Sequence, residues 1–196
     1  FNKETRNMSN REIAQELECN FNMSGETVFS PEDIENYSQR TEEPKYRTGF
    51  DRNLWISKEM DASSDYIVSA DVARGDGKDY SVCHVFNVNT MEIVAEYRGK
   101  VTPDVFSRVL NDVGKEYKNA LMIVENNSVG YSVLEKLREM NYPNLYYSIK
   151  STHEYVEEYK AENMSNAVAG FTMSSKTRPI IISKMEEFIR NNLIKI

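Results

Sequence analysis

Apolar and polar positions alternate along the middle of the chain with the period that β-strands require. A short apolar strand is predicted over 66–71, a β-rich strand over 81–88, and alternating residues predict a third strand over 91–97. Polar turn residues separate these segments, and strands joined by such short turns pair with their neighbours in antiparallel fashion. The pattern therefore predicts a three-stranded antiparallel meander.

Helical periodicity alternates with strands after the meander. The predicted elements are a helix over 102–118, a strand over 121–125, a helix carrying Val133, Leu134 and Leu137, a strand over 145–149, a helix over 177–192 and the start of a strand over 193–196. The periodicity fades over 151–173, which predicts a mobile excursion there. Three antiparallel strands followed by parallel strands and helices predict a mixed α/β sheet flanked by helices.

The first 65 residues carry a weaker pattern. The predicted elements are a helix over 10–19, an extended piece over 27–29 and a capped helix that begins at Ser30-Pro31. Residues 38–65 are rich in charge and broken by Pro44 and Gly49, which predicts a linker or surface excursion with one apolar anchor at 54–56. We therefore divide the chain into 1–60 and a domain over 61–196.

Composition limits the classes of protein that fit. The 196 residues are 40% apolar, which is enough for one core, and no apolar run approaches the roughly 20 residues of a membrane helix. Cys19 and Cys83 lie far apart without metal-ligand spacing, so we expect reduced thiols and no zinc site. The net charge of -7 argues against a protein that binds nucleic acid over its whole surface, although it allows a local basic patch. The first residue is Phe1, so we expect a piece of a longer chain.

Two acidic residues each end an apolar strand. Asp71 ends the strand over 66–71 and Glu125 ends the strand over 121–125. If these strands are neighbours about 4.8 Å apart, both carboxylates emerge at the same edge of the sheet and can share a divalent cation. Such ions prefer carboxylate oxygens and promote phosphodiester hydrolysis. The alternative for either acid alone is the cap or turn role that Asp commonly has at strand ends.

The surroundings of both acids resemble a known family. The stretch 70–81, ADVARGDGKDYS, resembles the first acidic motif of the large terminase nucleases of tailed bacteriophages, in which an Asp that ends the first strand precedes a Gly-bearing loop and a further Asp. The stretch 124–130, VENNSVG, resembles their second motif, Glu-x-Asn-x-x-Gly. The resemblance spans roughly 65–196, and residues 16–28 resemble the exit from the family's motor ATPase domain.

The resemblance implies a fold and an activity. It implies an RNase H-like nuclease domain over 61–196, preceded over 1–60 by the tail of a motor ATPase domain and a linker. It implies an endonuclease that cuts concatemeric double-stranded viral DNA during genome packaging by two-metal hydrolysis with Mg²⁺ or Mn²⁺. Asp71 and Glu125 are then catalytic metal ligands. Family members carry a third catalytic Asp on a later helix, which we expect beyond Ile196, so the domain is expected to be C-terminally incomplete.

Partners and location also follow from the resemblance. They are double-stranded DNA, the portal protein and the small terminase subunit, at the viral prohead in the host cytoplasm, with no membrane partner. The alternatives are another RNase H-like nuclease, such as a resolvase or integrase, and a non-catalytic docking or regulatory fragment. The Glu-x-Asn-x-x-Gly stretch argues against the first, whereas the missing acid and the net negative charge favour the second. Metal binding separates these hypotheses.

Further residues are candidates for supporting roles. Asp79 is a candidate accessory metal ligand, with loop capping as the alternative. The candidate DNA-binding residues are Arg74, Lys78, Lys150, Lys176, Arg178 and Lys184, with solvated surface charge as the alternative. His84 and His153 have no carboxylate partner by spacing, so we assign them no catalysis. Gly75–Lys78 lacks the spacing of a phosphate-binding loop, so the chain is not expected to hydrolyse ATP.

Overall fold

The computed structural model describes residues 27–150 and 154–196. Two compact units are distinguished in the chain, one of residues 42–181 with 194–196 and one of residues up to Thr41 with 182–193. The helix predicted over 10–19, together with Cys19 and His153, lies outside the described residues.

The larger unit is built on a mixed sheet. Within the described residues its strands are β1 (Tyr46–Thr48), β2 (Leu54–Ile56), β3 (Tyr66–Asp71), β4 (Ser81–Asn87), β5 (Glu92–Gly99) and β6 (Leu121–Val124). They lie in the order β1-β2-β5-β4-β3-β6. All neighbours are antiparallel except β3 and β6, which run parallel. The predicted meander with an added parallel strand is confirmed.

Two strands of this sheet correct the sequence interpretation of 38–65. We predicted a linker or surface excursion, but β1 and β2 pair with each other, and β2 also pairs with β5. Strands of three residues are too short to show a two-residue period, and β1 is a solvent-exposed edge strand that carries polar residues, as edge strands commonly do. Ile56, in the predicted apolar anchor, is buried. The sheet thus begins before residue 60, and an ATPase tail over 1–60 stays a prediction.

Both units contain helices. Those in the described part of the chain are α1 (Pro31–Ser38), α2 (Pro103–Glu116), α3 (Gly130–Glu139), the single turn α4 (Glu158–Ala161) and α5 (Thr177–Arg190). The predicted cap of α1 is confirmed, because Ser30 Oγ accepts a hydrogen bond from the backbone N–H of Asp33 at 3.1 Å. The helices predicted over 102–118 and 177–192 form, and each ends about one turn or less earlier. None of the helices described is long and apolar enough to cross a membrane.

The core lies between one face of the sheet and the helices α2 and α3. Along β3, Tyr66, Val68 and Ala70 point into the core, so Ser69 and Asp71 point to the opposite face. The largest fully buried side chains are Tyr117, Phe106, Ile56, Leu110, Met122, Leu134, Leu137, Val68, Val85, Val94, Val124 and Val133. One face of the sheet therefore packs against the core, and the opposite face carries Asp71 at the end of β3.

Cys83 belongs to this core rather than to a reactive site. Its thiol is free and buried, and burial raises its pKa to about 12 because the thiolate form is disfavoured away from water. A thiol with so high a pKa is protonated at neutral pH and is a poor nucleophile. Cys83 therefore acts as a small apolar side chain.

A second sheet corrects the predicted mobile excursion over 151–173. It consists of β7 (Tyr147–Ile149), β8 (Tyr155–Val156) and β9 (Ala167–Ala169) in the antiparallel order β8-β7-β9. These strands are too short to produce a visible period in sequence. The strand predicted over 145–149 thus belongs mainly to this sheet, and only Leu145 bridges to Met122 of β6.

The two ends of the described chain contain less strand than predicted. Residues 27–29 form no strand. In the strand predicted over 193–196, Lys195 forms a single parallel bridge with Glu92. The backbone N–H of Ile93 donates to the Lys195 carbonyl at 2.9 Å, so the last described residues are attached to β5 by hydrogen bonding.

Candidate functional site

Asp71 and Glu125 lie side by side at one edge of the main sheet. Ala70 of β3 pairs with Val124 of β6 in parallel register, and the backbone N–H of Glu125 donates to the Ala70 carbonyl at 3.1 Å. Each acid follows directly from this pair, so both emerge at the carboxyl ends of neighbouring strands. The predicted shared edge is confirmed. The catalytic roles of the two residues stay a prediction.

Both acids line two cavities at this edge. A cleft of about 500 Å³ is also lined by Arg74, Asp76 and Asp79. A second cavity of about 560 Å³ is lined by both acids and includes His84 of β4. Open space at the carboxyl ends of strands is where α/β sheets commonly bind ligands. The structure therefore brings the predicted accessory residue Asp79 to the same cleft as Asp71 and Glu125.

The loop between β3 and β4 is held in a fixed shape. The buried Ser81 hydroxyl accepts a hydrogen bond from the backbone N–H of Ala73 at 3.0 Å, which closes the base of the loop. Gly75 has a φ of +85° and lies directly against the backbone of Val101, where an added Cβ would stand 2.6 Å from the carbonyl carbon. A side chain at this position would be both strained and crowded. The loop is thus positioned to bring its acids to the cleft.

The Glu-x-Asn-x-x-Gly stretch has a physical explanation. A Cβ at Gly130 would fall on the carbonyl oxygen of Glu125, so only glycine lets α3 begin this close to the end of β6. Asn127 donates from Nδ2 to Glu125 Oε1 at 2.9 Å and to the Met173 carbonyl at 2.9 Å. The asparagine therefore orients the carboxylate of Glu125. This role was not predicted from the sequence, and the only signal for it was the place of Asn127 in the motif.

A further segment supports Glu125 on the side away from β3. Phe171 bridges in parallel to Glu125, and its backbone N–H donates to the Val124 carbonyl at 2.9 Å. The backbone N–H of Asn126 donates in turn to the Phe171 carbonyl at 2.9 Å. This pairing places the Met173 carbonyl where Asn127 binds it. Glu125 is therefore flanked by backbone on both sides, which limits its freedom to move.

The two acids are compatible with a divalent cation. The Asp71 carboxylate is exposed and accepts no hydrogen bond from the described residues, and Glu125 accepts one from Asn127 on Oε1. Mg²⁺ typically takes one or two carboxylates and completes its shell with water and substrate phosphate oxygens. Within residues 27–150 and 154–196, no group of three or more His, Cys, Asp or Glu could hold a metal ion. The donors present therefore suit a hard cation with two protein ligands.

The predicted DNA-binding residues are not gathered at one place. Arg74 lines the cleft beside the acids. The residues that are exposed and line neither of the two cavities are Lys78, Lys150, Lys176, Arg178 and Lys184. Lys184 is paired with Glu187 at 2.7 Å in its own helix. Only Arg74 therefore joins the acids in the cleft, and DNA binding by the other residues stays a prediction.

His84 has a carboxylate partner, contrary to our sequence interpretation. Its Nε2 lies 3.3 Å from Glu96 Oε2, because the two residues face each other across β4 and β5. The hydrogen bond from His84 lowers the pKa of the Glu96 carboxyl. The partner is twelve residues away and is found only when the strand register is known. His84 also lines the 560 Å³ cavity with both acids.

Solved structures share this fold. The large terminase nuclease from thermophilic phage G20c with bound magnesium aligns with a TM-score of 0.61 at 17% identity, over 86% of this chain and 72% of that chain. The same nuclease with bound cobalt aligns with a TM-score of 0.60 at 18% identity, over 86% and 72%. The large terminase nuclease domain of Thermus phage P74-26 aligns with a TM-score of 0.54 at 18% identity, over 78% of this chain and 65% of that chain.

Two comparisons based on sequence give no match. No protein-family model matches the chain, and no curated protein matches it significantly. The structural likeness, at 16–18% identity, establishes the fold. The RNase H-like fold predicted from the two acidic motifs is confirmed, and the chain folds as the large terminase nuclease domains of thermophilic phages do.

Proposed function

We propose that this chain is the nuclease domain of a viral DNA-packaging motor, an endonuclease that cuts double-stranded DNA with Mg²⁺ or Mn²⁺. The observation that carries the proposal is the placement of Asp71 and Glu125 at the ends of parallel neighbouring strands, where both line one cleft. The shared fold supports it, since the G20c nuclease has been solved with magnesium, zinc and cobalt bound.

The proposed substrate and setting follow from the two acidic motifs. The substrate is concatemeric double-stranded viral DNA, which is cut during genome packaging. The partners are the portal protein and the small terminase subunit, and the place of action is the prohead in the host cytoplasm. The tail of the motor ATPase domain would then precede the nuclease in the same polypeptide.

The residues of the cleft have distinct parts in this proposal. Asp71 and Glu125 would hold the cation, and Asp79, which lines the same cleft, would orient a metal-bound water. A pair of such ions, when bound, would supply activation of the attacking water and stabilisation of the leaving oxygen of the phosphodiester. Asn127 fixes the direction of the Glu125 carboxylate through its 2.9 Å hydrogen bond, which removes the entropy cost of ordering this ligand. Arg74 lies in the same cleft and can meet a phosphate of the bound strand.

The other basic candidates, which do not line the cleft, are proposed as contacts to the DNA backbone. Lys78, Lys150, Lys176 and Arg178 are exposed, so each is accessible to a DNA phosphate. Contacts of this type add affinity without sequence information. They agree with an enzyme that cuts with little sequence preference.

Removal of the charge of Glu125 tests the proposal. The full-length protein is expected to nick or linearise supercoiled plasmid with Mg²⁺ or Mn²⁺ and to stop when EDTA is added. In Glu125→Gln the side chain keeps its shape but loses the anionic ligand, so we expect cutting at least about 100-fold slower. The rate is measured by gel electrophoresis of plasmid over time.

A matched variant controls for the change of charge. Glu139→Gln makes the same chemical change at an exposed position in the last turn of α3 and is expected to cut like the wild type. Cutting that persists in EDTA, or undiminished cutting by Glu125→Gln, would overturn the proposed function.

A further inference from the structure

An aromatic side chain beside the cleft holds two cations. The guanidinium carbon of Arg98 lies 4.0 Å from the centroid of the Tyr80 ring, and Lys100 Nζ lies 4.9 Å from the same centroid. All three side chains are exposed, Tyr80 at 39% of its surface. Cations over an aromatic face are attracted to its negative quadrupole, which orders their flexible side chains. We call Tyr80, Arg98 and Lys100 the basic anchor.

Strand register places the basic anchor on the same face of the sheet as the acids. Asp71 of β3 pairs directly with Val82 of β4, and Val82 pairs directly with Arg98 of β5. Directly paired residues project their side chains to the same face. Strands lie about 4.8 Å apart, so the backbone of Arg98 is about 10 Å from that of Asp71. The anchor therefore flanks the cleft on the side away from Glu125.

The two cations of the anchor are not paired in salt bridges with acidic residues of the described chain. Among the described residues neither Arg98 nor Lys100 forms a salt bridge. The acid nearest in register on that face of β5 is Glu96, whose carboxylate lies 3.3 Å from His84 and whose pKa is lowered first by the hydrogen bond from His84 and also by the charge of Arg98. The chain as a whole carries a net charge of -7, so this ordered and exposed pair of cations is a local exception. Such a pair attracts an anion from solvent.

Phosphate is the anion that suits this geometry. A guanidinium presents several N–H donors in a plane that matches phosphate oxygens, and stacking on an aromatic ring fixes that plane in advance. The adjoining cleft is lined by Asp71, Asp76, Asp79 and Glu125, which repel a polyanion. Cations next to these carboxylates offset the repulsion where DNA must approach. The basic anchor therefore compensates for the electrostatic repulsion between the acidic cleft and DNA.

We propose that the basic anchor binds backbone phosphate of double-stranded DNA a few nucleotides from the bond that lies at Asp71 and Glu125. This inference rests on the proposed nuclease function and adds a subsite to it. Arg98 and Lys100 contact phosphate, and Tyr80 holds them in place. The anchor positions the duplex on the cleft and takes no part in the chemical step.

Binding measured without cleavage tests the anchor. The full-length protein is titrated onto a fluorescein-labelled DNA duplex in EDTA at several KCl concentrations, and anisotropy gives Kd. In the double variant Arg98→Gln/Lys100→Gln we expect Kd to rise about tenfold, because two charge-assisted contacts are lost. The slope of log Kd against log salt should become shallower by about 2, since about one counterion is released for each phosphate contact.

A second variant separates position from charge. Tyr80→Ala keeps both cations but removes the ring that orders them, so we expect Kd to rise about threefold with an unchanged salt slope. The matched control is Arg108→Gln/Lys115→Gln, which removes the same two charges from exposed positions on α2, the helix that packs on the opposite face of the sheet. Circular dichroism melts establish that each variant is folded.

The outcomes distinguish this inference from the proposed function. Wild-type Kd and salt slope in Arg98→Gln/Lys100→Gln, or an equal loss in the α2 control, would overturn the anchor. So would the absence of DNA binding by the wild type. If Glu125→Gln stops cutting while the anchor variants bind normally, the function stands and the anchor fails. If binding depends on the anchor but no metal supports cutting, the anchor stands and the function fails.

Discussion

Asp71→Asn is expected to abolish DNA cutting and to leave the fold unchanged. The substitution keeps the size of the side chain but removes the negative charge that a cation requires. Metal ions contribute several kcal/mol of transition-state stabilisation, so the loss should be on the order of a thousandfold in rate. Asp71 is exposed and accepts no hydrogen bond within the described part of the chain, so its neutralisation removes no internal contact.

The measurement compares plasmid cutting with thermal stability in the same variant. Asp65→Asn is the control, because Asp65 is exposed at the opposite end of the strand that Asp71 ends and lies 3.8 Å from Lys118. It should cut at the wild-type rate. Undiminished cutting by Asp71→Asn, or an equal loss of cutting in Asp65→Asn, would contradict the assignment of Asp71 to the active site.

Gly130→Ala is expected to destabilise the protein by about 3 kcal/mol or more. The added Cβ would fall on the Glu125 carbonyl oxygen, which is backbone at the end of β6 and cannot rotate away. The helix α3 must then move and take with it the buried side chains of Val133, Leu134 and Leu137. For a chain of this length each kcal/mol lowers Tm by about 2–4 °C, so a drop of about 6–12 °C is expected.

A second glycine provides the control. Gly77 lies in the loop beside Asp71, and an added Cβ there meets only the backbone nitrogen of Asp79, at 4.0 Å. Gly77→Ala should change stability by no more than about 0.5 kcal/mol. Urea denaturation followed by circular dichroism measures both variants. Equal stability of Gly130→Ala and Gly77→Ala would contradict the close approach of α3 to β6.

Sequence pattern was sufficient for the elements that position the acids. The strands over 66–71 and 121–125 are apolar and each ends on a carboxylate, but the sequence interpretation assumed that they are neighbours. The structure supplies this pairing in the parallel register of β3 and β6. The shared edge of the two acids therefore followed from pattern only once that pairing was assumed. The motif resemblance added the order of strands and the kind of chemistry.

Contacts that depend on register could not be predicted. His84 and Glu96 meet only because β4 and β5 pair at those residues, and Val82 brings Arg98 into line with Asp71 in the same way. A shift of one residue would send each side chain to the other face. The pairings of β1, β2, β8 and β9 were missed for a different reason. Strands of two or three residues contain too little pattern to differ from loops.

The hydrogen bond from Asn127 to Glu125 shows a third limit. A motif indicates that an asparagine belongs near an acid, but the direction of its side chain is set by the Met173 carbonyl, 46 residues later. Such a contact depends on the path of the chain between them. The sequence shows only the positions of Asn127 and Gly130 in the motif. The structure shows the contacts that explain an asparagine and a glycine at these positions.

Titration calorimetry with Mn²⁺ tests the central claim most directly, namely that Asp71 and Glu125 together hold a divalent cation. The wild-type chain is expected to give a saturable heat of binding that Asp71→Asn and Glu125→Gln each abolish and that Asp65→Asn retains. Wild-type Mn²⁺ affinity in the double variant Asp71→Asn/Glu125→Gln would contradict the claim.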